Sequence, residues 1–199
     1  MAVTALILYL VWAFLAFGWR TIDQRRRTGD SGLRLHAQPN TAQWWAKIGF
    51  AIAILVGVAA PLAAVAGLDN VTALDATWLH IAGIAVTLIG VLLTVAAQYS
   101  MGESWRIGVD PEERTELVTA GAFRLVRNPI FTAMLITATG LAMIIPNVIS
   151  ILGLVALVVA LEVQVRLVEE PYLRTVQGAE YRAYAQSTGR FAPGIGRIR

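Results

Sequence analysis

The residues best suited to chemistry gather in three short stretches of the carboxyl-terminal half. The first, Gly121-Ala122-Phe123-Arg124-Leu125-Val126-Arg127-Asn128-Pro129-Ile130-Phe131, sets an arginine directly ahead of an Asn-Pro pair. Asn is a favoured N-cap and Pro suits the first helical position, so a helix amino terminus with free N–H groups and a positive dipole end is predicted beside Arg127. Such an end receives a carboxylate or a phosphate; the plainer reading is a capped helix with Arg127 reaching lipid headgroups. The second stretch holds Glu162, Gln164, Arg166, Glu169 and Glu170, followed by Pro171. Glu162 and Arg166 are four apart and can pair on one helical face. The adjacent carboxylates at 169 and 170 repel each other and invite a cation such as an ammonium or sulfonium group, unless they are simply a polar helix end at headgroup level. Pro171 is expected to kink or end that helix. In the third stretch, Leu173, Val176, Tyr181 and Tyr184 can line one face of a short helix that Gly178 weakens and Gly189 can end, ahead of Arg190-Phe191-Ala192-Pro193-Gly194. Tyrosines so placed are more often interfacial packing than ligand contacts.

The elements that position these residues follow from composition. The chain has 199 residues, 57% of them hydrophobic and 15% charged, with no cysteine. Its mean hydropathy is +0.63. Soluble domains average about 45 to 50% apolar residues, and one small core cannot bury the excess. A membrane protein is therefore expected. Lack of cysteine excludes thiol catalysis, disulfides and cysteine zinc sites, and two histidines, His36 and His80, leave little for a metal. Five apolar segments, 2–19, 48–68, 78–99, 130–145 and 147–165, are separated by turn or charge clusters. At about 1.5 Å per residue, against a hydrocarbon core of about 30 Å, four can span and the fourth in order is short. Helices are required, because nothing in lipid satisfies an open backbone. The expected fold is an all-α polytopic membrane protein of about five transmembrane helices. Its last two helices form a tight hairpin at Pro146-Asn147 that either crosses the bilayer or dips into it.

The 16 basic residues sort into three blocks. These are Arg20 to Lys47, Arg106 to Arg127 and Arg166 to Arg199, while the loop between the second and third segments carries only Asp69 and Asp75. Loops rich in Lys and Arg stay cytoplasmic, which predicts an outside amino terminus and a cytoplasmic carboxyl terminus. The pI of about 9.7 then reflects cations facing an anionic leaflet, with no need of nucleic acid. A cleaved signal peptide is not expected, because the arginines follow the first apolar run. Small residues such as Gly83 and Gly90 permit another helix to approach closely. About half of the chain lies outside lipid, mostly cytoplasmic, so 1–199 reads as one domain with its chemistry in 100–131 and 162–199.

Taken together and in order, these residues resemble the isoprenylcysteine carboxyl methyltransferase family of integral membrane methyltransferases. The pattern is carried by Gly102 and Trp105, then Gly121, Arg127 and Pro129, then the hairpin, then Glu169, Glu170 and Leu173, then Gly178, Tyr181 and Tyr184, then Arg190, Phe191 and Pro193. It covers about the last 100 residues. Two positions depart from it: Asn128 stands where the family usually has His, and Phe131 where it usually has Tyr. Asn hydrogen-bonds but does not titrate near neutral pH, so no general base is expected at 128.

The resemblance implies S-adenosylmethionine as methyl donor and S-adenosylhomocysteine as product, held at the cytoplasmic side between the Arg127 loop and the Glu169-Glu170 turn. Gly121, Arg127, Asn128, Pro129, Phe131, Glu169, Glu170, Tyr181, Tyr184 and Arg190 are the expected cofactor-binding positions. Arg127 would serve the cofactor's carboxylate, Glu169 or Glu170 its ammonium, and Phe131 with Tyr181 an apolar wall for adenine. Replacing Arg127 or Glu170 by Ala is then expected to weaken cofactor binding and leave the fold intact. Methyl transfer from a sulfonium is an in-line displacement that rests on positioning and exclusion of water. A carboxylate acceptor needs a cation to orient it, from Arg106 or Arg190, but no base. An amine, phenol or thiol acceptor would want one, with Glu103 the nearest. A lipophilic acceptor entering from the bilayer gains about 0.8 kcal/mol per buried CH2. High Ala and Arg with a single Lys suggests a bacterial cytoplasmic membrane, and membrane lipids are the remaining expected partners. The rivals are methylation of a phospholipid amine or another lipophile, an NADPH-dependent enzyme resembling sterol reductases, and a non-enzymatic lipid-binding subunit.

Overall fold

The computed structural model describes residues 1–108 and 116–198, so Arg114 and Arg199 lie outside the described residues. Those residues form an all-helical bundle of α1 (Ala2–Ala13), α2 (Arg20–Thr28), α3 (Ala42–Val65), α4 (Thr77–Ser100), α5 (Pro129–Ile144), α6 (Val148–Gln164) and α7 (Glu170–Ser187). Widened π turns over Phe14–Trp19 and Val165–Glu169 join α1 to α2 and α6 to α7, so both pairs run on as long helices. Four helices are long and apolar enough to cross a membrane, and α5, with 16 residues, is the shorter fifth. The protein is an all-α polytopic membrane protein, as its composition demands. Two boundaries move. The first helix continues through the arginine cluster to Thr28, and α3 begins at Ala42, where Thr41 accepts from the Trp44 amide at 3.2 Å.

The hairpin partners do not chiefly pack on each other: α5 lies along α4, and α6 along α3. The α4–α5 seam is built from small residues. A Cβ placed on Gly140 would lie 2.4 Å from the Thr87 amide nitrogen, and one on Gly90 2.5 Å from the Thr137 nitrogen. The close approach that Gly83 and Gly90 permit is thus made within the chain, to α5. Thr87, Thr94 and Thr137 are buried there, each donating its hydroxyl to the carbonyl four residues back, which leaves no unpaired donor in an apolar seam.

The α5–α6 turn sits beside the α3–α4 connection. Asn147 donates from Nδ2 to the Ala60 carbonyl at 3.2 Å and caps α6 through Ser150 N at 2.8 Å, and the Pro146 carbonyl accepts from Val71 N at 2.9 Å. The fourth apolar segment therefore runs along the bundle from its basic end to this turn. Both loops lie at one end with Ala5 of α1. The other end gathers the described members of the three basic blocks, joined by Arg34 N to Ile107 O at 2.9 Å and by Arg127 to Glu170.

Pro171 does not end its helix. Proline lacks an N–H and crowds the carbonyl four residues back, and here it falls in the first turn of α7 just after the widened turn Val165–Glu169, where the helical path is maintained. The run from Val148 to Gln177, ahead of the non-helical Gly178, has 30 residues, about 45 Å at 1.5 Å per residue against a hydrocarbon core of about 30 Å. The span proper is α6, and the chain from Val165 onward lies beyond it. Gly178, with φ +54° and ψ −118°, bends α7 back over the bundle end, a backbone conformation open to glycine and strained for other residues.

Candidate functional site

At the basic end, the widened turn Phe14–Trp19, α3, α4, α5, the turn into α7 and α7 itself line a cavity of about 640 Å³. Sites for drug-sized ligands run from about 300 to 1,000 Å³. One end is polar, with Arg106, Glu116, Gln164 and Glu169. The other enters the bundle between Phe17, Phe50, Ile54, Leu55 and Met134. One continuous space thus joins charged groups outside the span to an apolar slot within it.

Glu170 is the centre of a buried ion cluster. Its Oε1 accepts from Arg127 Nη2 at 2.8 Å and from Arg190 Nε at 2.7 Å, its Oε2 accepts from Arg190 Nη2 at 3.2 Å, and Arg174 approaches Oε2 at 3.5 Å. Burial works against its charged form, yet the hydrogen bonds from Arg190 and Arg127 outweigh it and hold the carboxyl below the usual range. Arg127 also donates to the carbonyls of Ala185 at 3.0 Å, Thr188 at 2.6 Å and Gly196 at 3.1 Å. Its side chain is 2% exposed and that of Glu170 5%. Breaking a buried pair by removing one partner costs about 3–5 kcal/mol. The expectation that Arg127→Ala or Glu170→Ala leaves the fold intact therefore gives way: the pair pins the carboxyl-terminal segment to the entrance of α5.

Glu169, one residue earlier, has the opposite surroundings. It faces the cavity, Gln164 Nε2 donates to its Oε1 at 3.1 Å, and Arg106 lies near enough to act on its charge. Burial dominates and pushes its carboxyl up to about 7, against the opposing pull of Gln164 and Arg106. A desolvated carboxyl facing a cavity is stabilised in its charged form by a bound cation. Glu162 and Arg166 do pair, on the exposed helix face.

The remaining sequence candidates divide between wall and frame. Asn128, Pro129, Phe131, Tyr181 and Tyr184 line the cavity together with Arg106, whose guanidinium lies 5.9 Å over the Tyr172 ring. Asn128 occupies the N-cap position of α5 but makes no side-chain cap, because its Nδ2 donates instead to the Arg190 carbonyl at 3.2 Å. The Tyr184 hydroxyl donates to Phe123 O at 2.5 Å, and the Tyr181 and Tyr184 rings meet edge to face at 6.4 Å. Gly121, at φ +60° against Ser100, shapes the turn ahead of α5, and neither it nor Arg190 is among the cavity's lining residues. Glu103 is exposed, outside that lining, its backbone carbonyl bound by Gln24 at 2.7 Å. Arg20 is buried over Trp105, 4.9 Å from its centroid, and donates to Gly102 O at 2.7 Å, fixing the segment that delivers Arg106.

Sequence reasoning placed Gln164 in its second stretch and missed Lys47, Gln98 and Glu116 as cavity groups. Gln98 and Gln164 carried a signal, as amides at the ends of apolar helices. Lys47 and Glu116 carried none, since they reach the site only through the packing of loops: Lys47 Nζ donates to the carbonyls of Arg34 and His36, each at 2.6 Å. His80 lies at the opposite end, 3.1 Å from Asp75.

Comparison with known proteins adds the family. The 29%-identical stretches shared with protein-S-isoprenylcysteine O-methyltransferases A and B of Arabidopsis thaliana are 118 and 111 residues long, 58% and 55% of this chain and 60% and 56% of those proteins. A probable protein-S-isoprenylcysteine O-methyltransferase of Oryza sativa subsp. indica is 29% identical over 115 residues, 57% of this chain and 60% of its own. The chain thus spans about 60% of the length of these curated relatives. The sequence pattern described as PEMT, phospholipid methyltransferase, matches residues 78–180. That range runs from the start of α4 through the α5–α6 hairpin into α7, and includes both glutamates and the arginines facing them except Arg190. By this match over more than half of its length, the chain belongs to the phospholipid methyltransferase family.

Proposed function

We propose that this protein transfers a methyl group from S-adenosylmethionine to the carboxylate of a lipophilic acceptor, at the cytoplasmic end of its membrane bundle. The observation that carries the reading is the cavity that joins Glu169 and Arg106 to an apolar slot between helices. The donor groups fit this cofactor. Glu169 offers a desolvated carboxylate to an ammonium or sulfonium, and Pro129, Phe131, Tyr181 and Tyr184 offer an apolar and aromatic wall. Bound there, S-adenosylmethionine supplies an electrophilic methyl group on a positively charged sulfur. Arg106 orients the acceptor's carboxylate, the slot between the turn Phe14–Trp19, α3, α4 and α5 takes its apolar part, and the protein walls exclude water, so positioning supplies most of the acceleration. No base is required for an ionised carboxylate. Arg127, Glu170 and Arg190 act as positioning residues, because their mutual pairing fixes the turn that presents Glu169. The similarity to protein-S-isoprenylcysteine O-methyltransferases supports an isoprenylcysteine carboxylate as the acceptor class, and the arginine distribution supports the cytoplasmic placement.

Calorimetric titration of the detergent-purified protein with S-adenosylhomocysteine, with NADPH in parallel, tests the reading. Micromolar binding of the former alone is expected. NADPH binding alone would move the case to a reductase, and binding of neither would favour a lipid-binding subunit. Methyl transfer to an amine-bearing lipid but not to a carboxylate would reassign the acceptor.

A further inference from the structure

A second, smaller cavity of about 40 Å³ lies deeper in the bundle, between α1, α3, α5 and α6, with Tyr9, Trp12, Gly57, Ala138 and Leu157 in its wall. It shares two residues with the apolar end of the large cavity, Ile54 and Met134. These two side chains stand between the spaces.

Their chemistry is unequal. The Ile54 carbonyl accepts from the Tyr9 hydroxyl at 2.6 Å, which ties its backbone to α1, and its β-branched side chain is stiff at χ1. Met134 is 3% exposed and packs with Tyr9, Trp12, Ala16 and Val91, but a methionine is unbranched, has three rotatable side-chain bonds and refills irregular space readily. One half of the partition is fixed and the other can swing. Behind it, the lining is almost wholly apolar, and empty apolar cavities stay dry and take up apolar guests.

Resting on the function proposed above, we infer that Met134, set against the fixed Ile54, is the length-determining residue for the acceptor's apolar tail, and that the small cavity is the distal part of the acceptor site. The occupant is a hydrocarbon tail whose carboxylate end lies by Arg106. A tail that stops at the partition leaves Met134 in place. A longer one must displace it into, or past, the space behind.

The test uses S-alkyl and S-prenyl thioethers of N-acetylcysteine in order of tail length. It reads kcat/KM for methyl transfer and, independently, the calorimetric affinity of the corresponding methyl esters. The wild-type protein is expected to show a break of about tenfold or more at one step of the series, the scale on which an apolar pocket discriminates a single added group. Met134→Ala moves the break to a longer tail and Met134→Phe to a shorter one. Ala138→Leu, which fills the far cavity, returns the break in the Met134→Ala background to its wild-type position. S-adenosylhomocysteine affinity stays at the wild-type value throughout and reports that each variant is folded; because the two Met134 substitutions act in opposite directions, either one alone decides the matter. A break that stays at the same tail length in the Met134 variants, or no break at all, overturns the partition while leaving the methyltransferase reading standing. Wild-type protein that neither binds S-adenosylhomocysteine nor methylates any member of the series overturns both.

Discussion

Glu169 and Glu170 are neighbours in the chain and both reach the wall of the large cavity, yet their immediate partners are unlike. On one side of the turn, Glu170 is locked by Arg127 and Arg190, and through Arg127 by three backbone carbonyls of the carboxyl-terminal segment. Glu169, by contrast, accepts from the Gln164 amide and has only the more distant charge of Arg106 in its favour, against the burial of its carboxyl. The difference shows two ways in which a membrane protein can hold a carboxyl group at the basic end of its bundle. The locked carboxylate stabilises the assembly and has no capacity left for a ligand. The desolvated one costs stability and is the group that a cationic ligand relieves.

The largest effect should come from the locked side. Arg127→Ala strands Glu170 and releases three carbonyls, and is expected to lower stability by about 3–5 kcal/mol, read as a fall in thermal unfolding temperature in detergent. Should stability stay within about 0.5 kcal/mol of wild type, the lock would be only apparent.

On the open side the signature reverses. Glu169→Gln should leave the unfolding temperature at or above that of wild type at pH 7 while weakening S-adenosylhomocysteine about tenfold or more by calorimetry, roughly the 1.5–3 kcal/mol of a charged hydrogen bond. Wild-type affinity in this variant would remove Glu169 from the cofactor site.

The same group predicts a pH dependence. Glu169 holds its proton up to about pH 7 in the folded protein, against an ordinary value of 4.5. Between those values the folded state binds more protons than the unfolded chain, so this group's contribution to stability falls as pH rises through the window. Binding of a cation favours the ionised form, so cofactor affinity should fall as pH drops below about 7, by at most tenfold per unit. Both dependences should disappear in Glu169→Gln, and a slope that persists there belongs to another group.

A smaller change is expected at Arg106, which acts on the acceptor. Arg106→Ala should raise KM for a carboxylate acceptor about tenfold and leave S-adenosylhomocysteine affinity within twofold. Equal losses of both would place Arg106 against the cofactor instead. Smallest of all, Arg166→Ala removes the exposed pair with Glu162 and should change stability by less than about 0.5 kcal/mol.

Much of this architecture was legible in the chain. Apolar runs located the membrane helices to within a turn or so, apart from the continuation to Thr28 and the earlier start of α3 at Ala42, because lipid forces the backbone to satisfy itself locally. The Arg127 loop, the paired glutamates and the tyrosine tail were recognisable because each is a short pattern. The partners within those patterns were not. Asn128 was read as a cap, and its side chain instead reaches Arg190, 62 residues away. Gly83 and Gly90 announced close contact, but α5 as the helix received depended on packing. Pro171 promised a break, and the widened turn before it kept the helix continuous.

Composition and periodicity settled the solvent, the helices and the grouping of the arginines between the apolar runs, since these depend on residue type and on neighbours a few positions away. Tertiary packing decided which glutamate is locked and which is presented, that Lys47 and Glu116 reach the cavity, and that Met134 stands between two spaces. Those outcomes rest on contacts between residues tens of positions apart, where a shift of about 1 Å makes or breaks a hydrogen bond and no local preference carries the information.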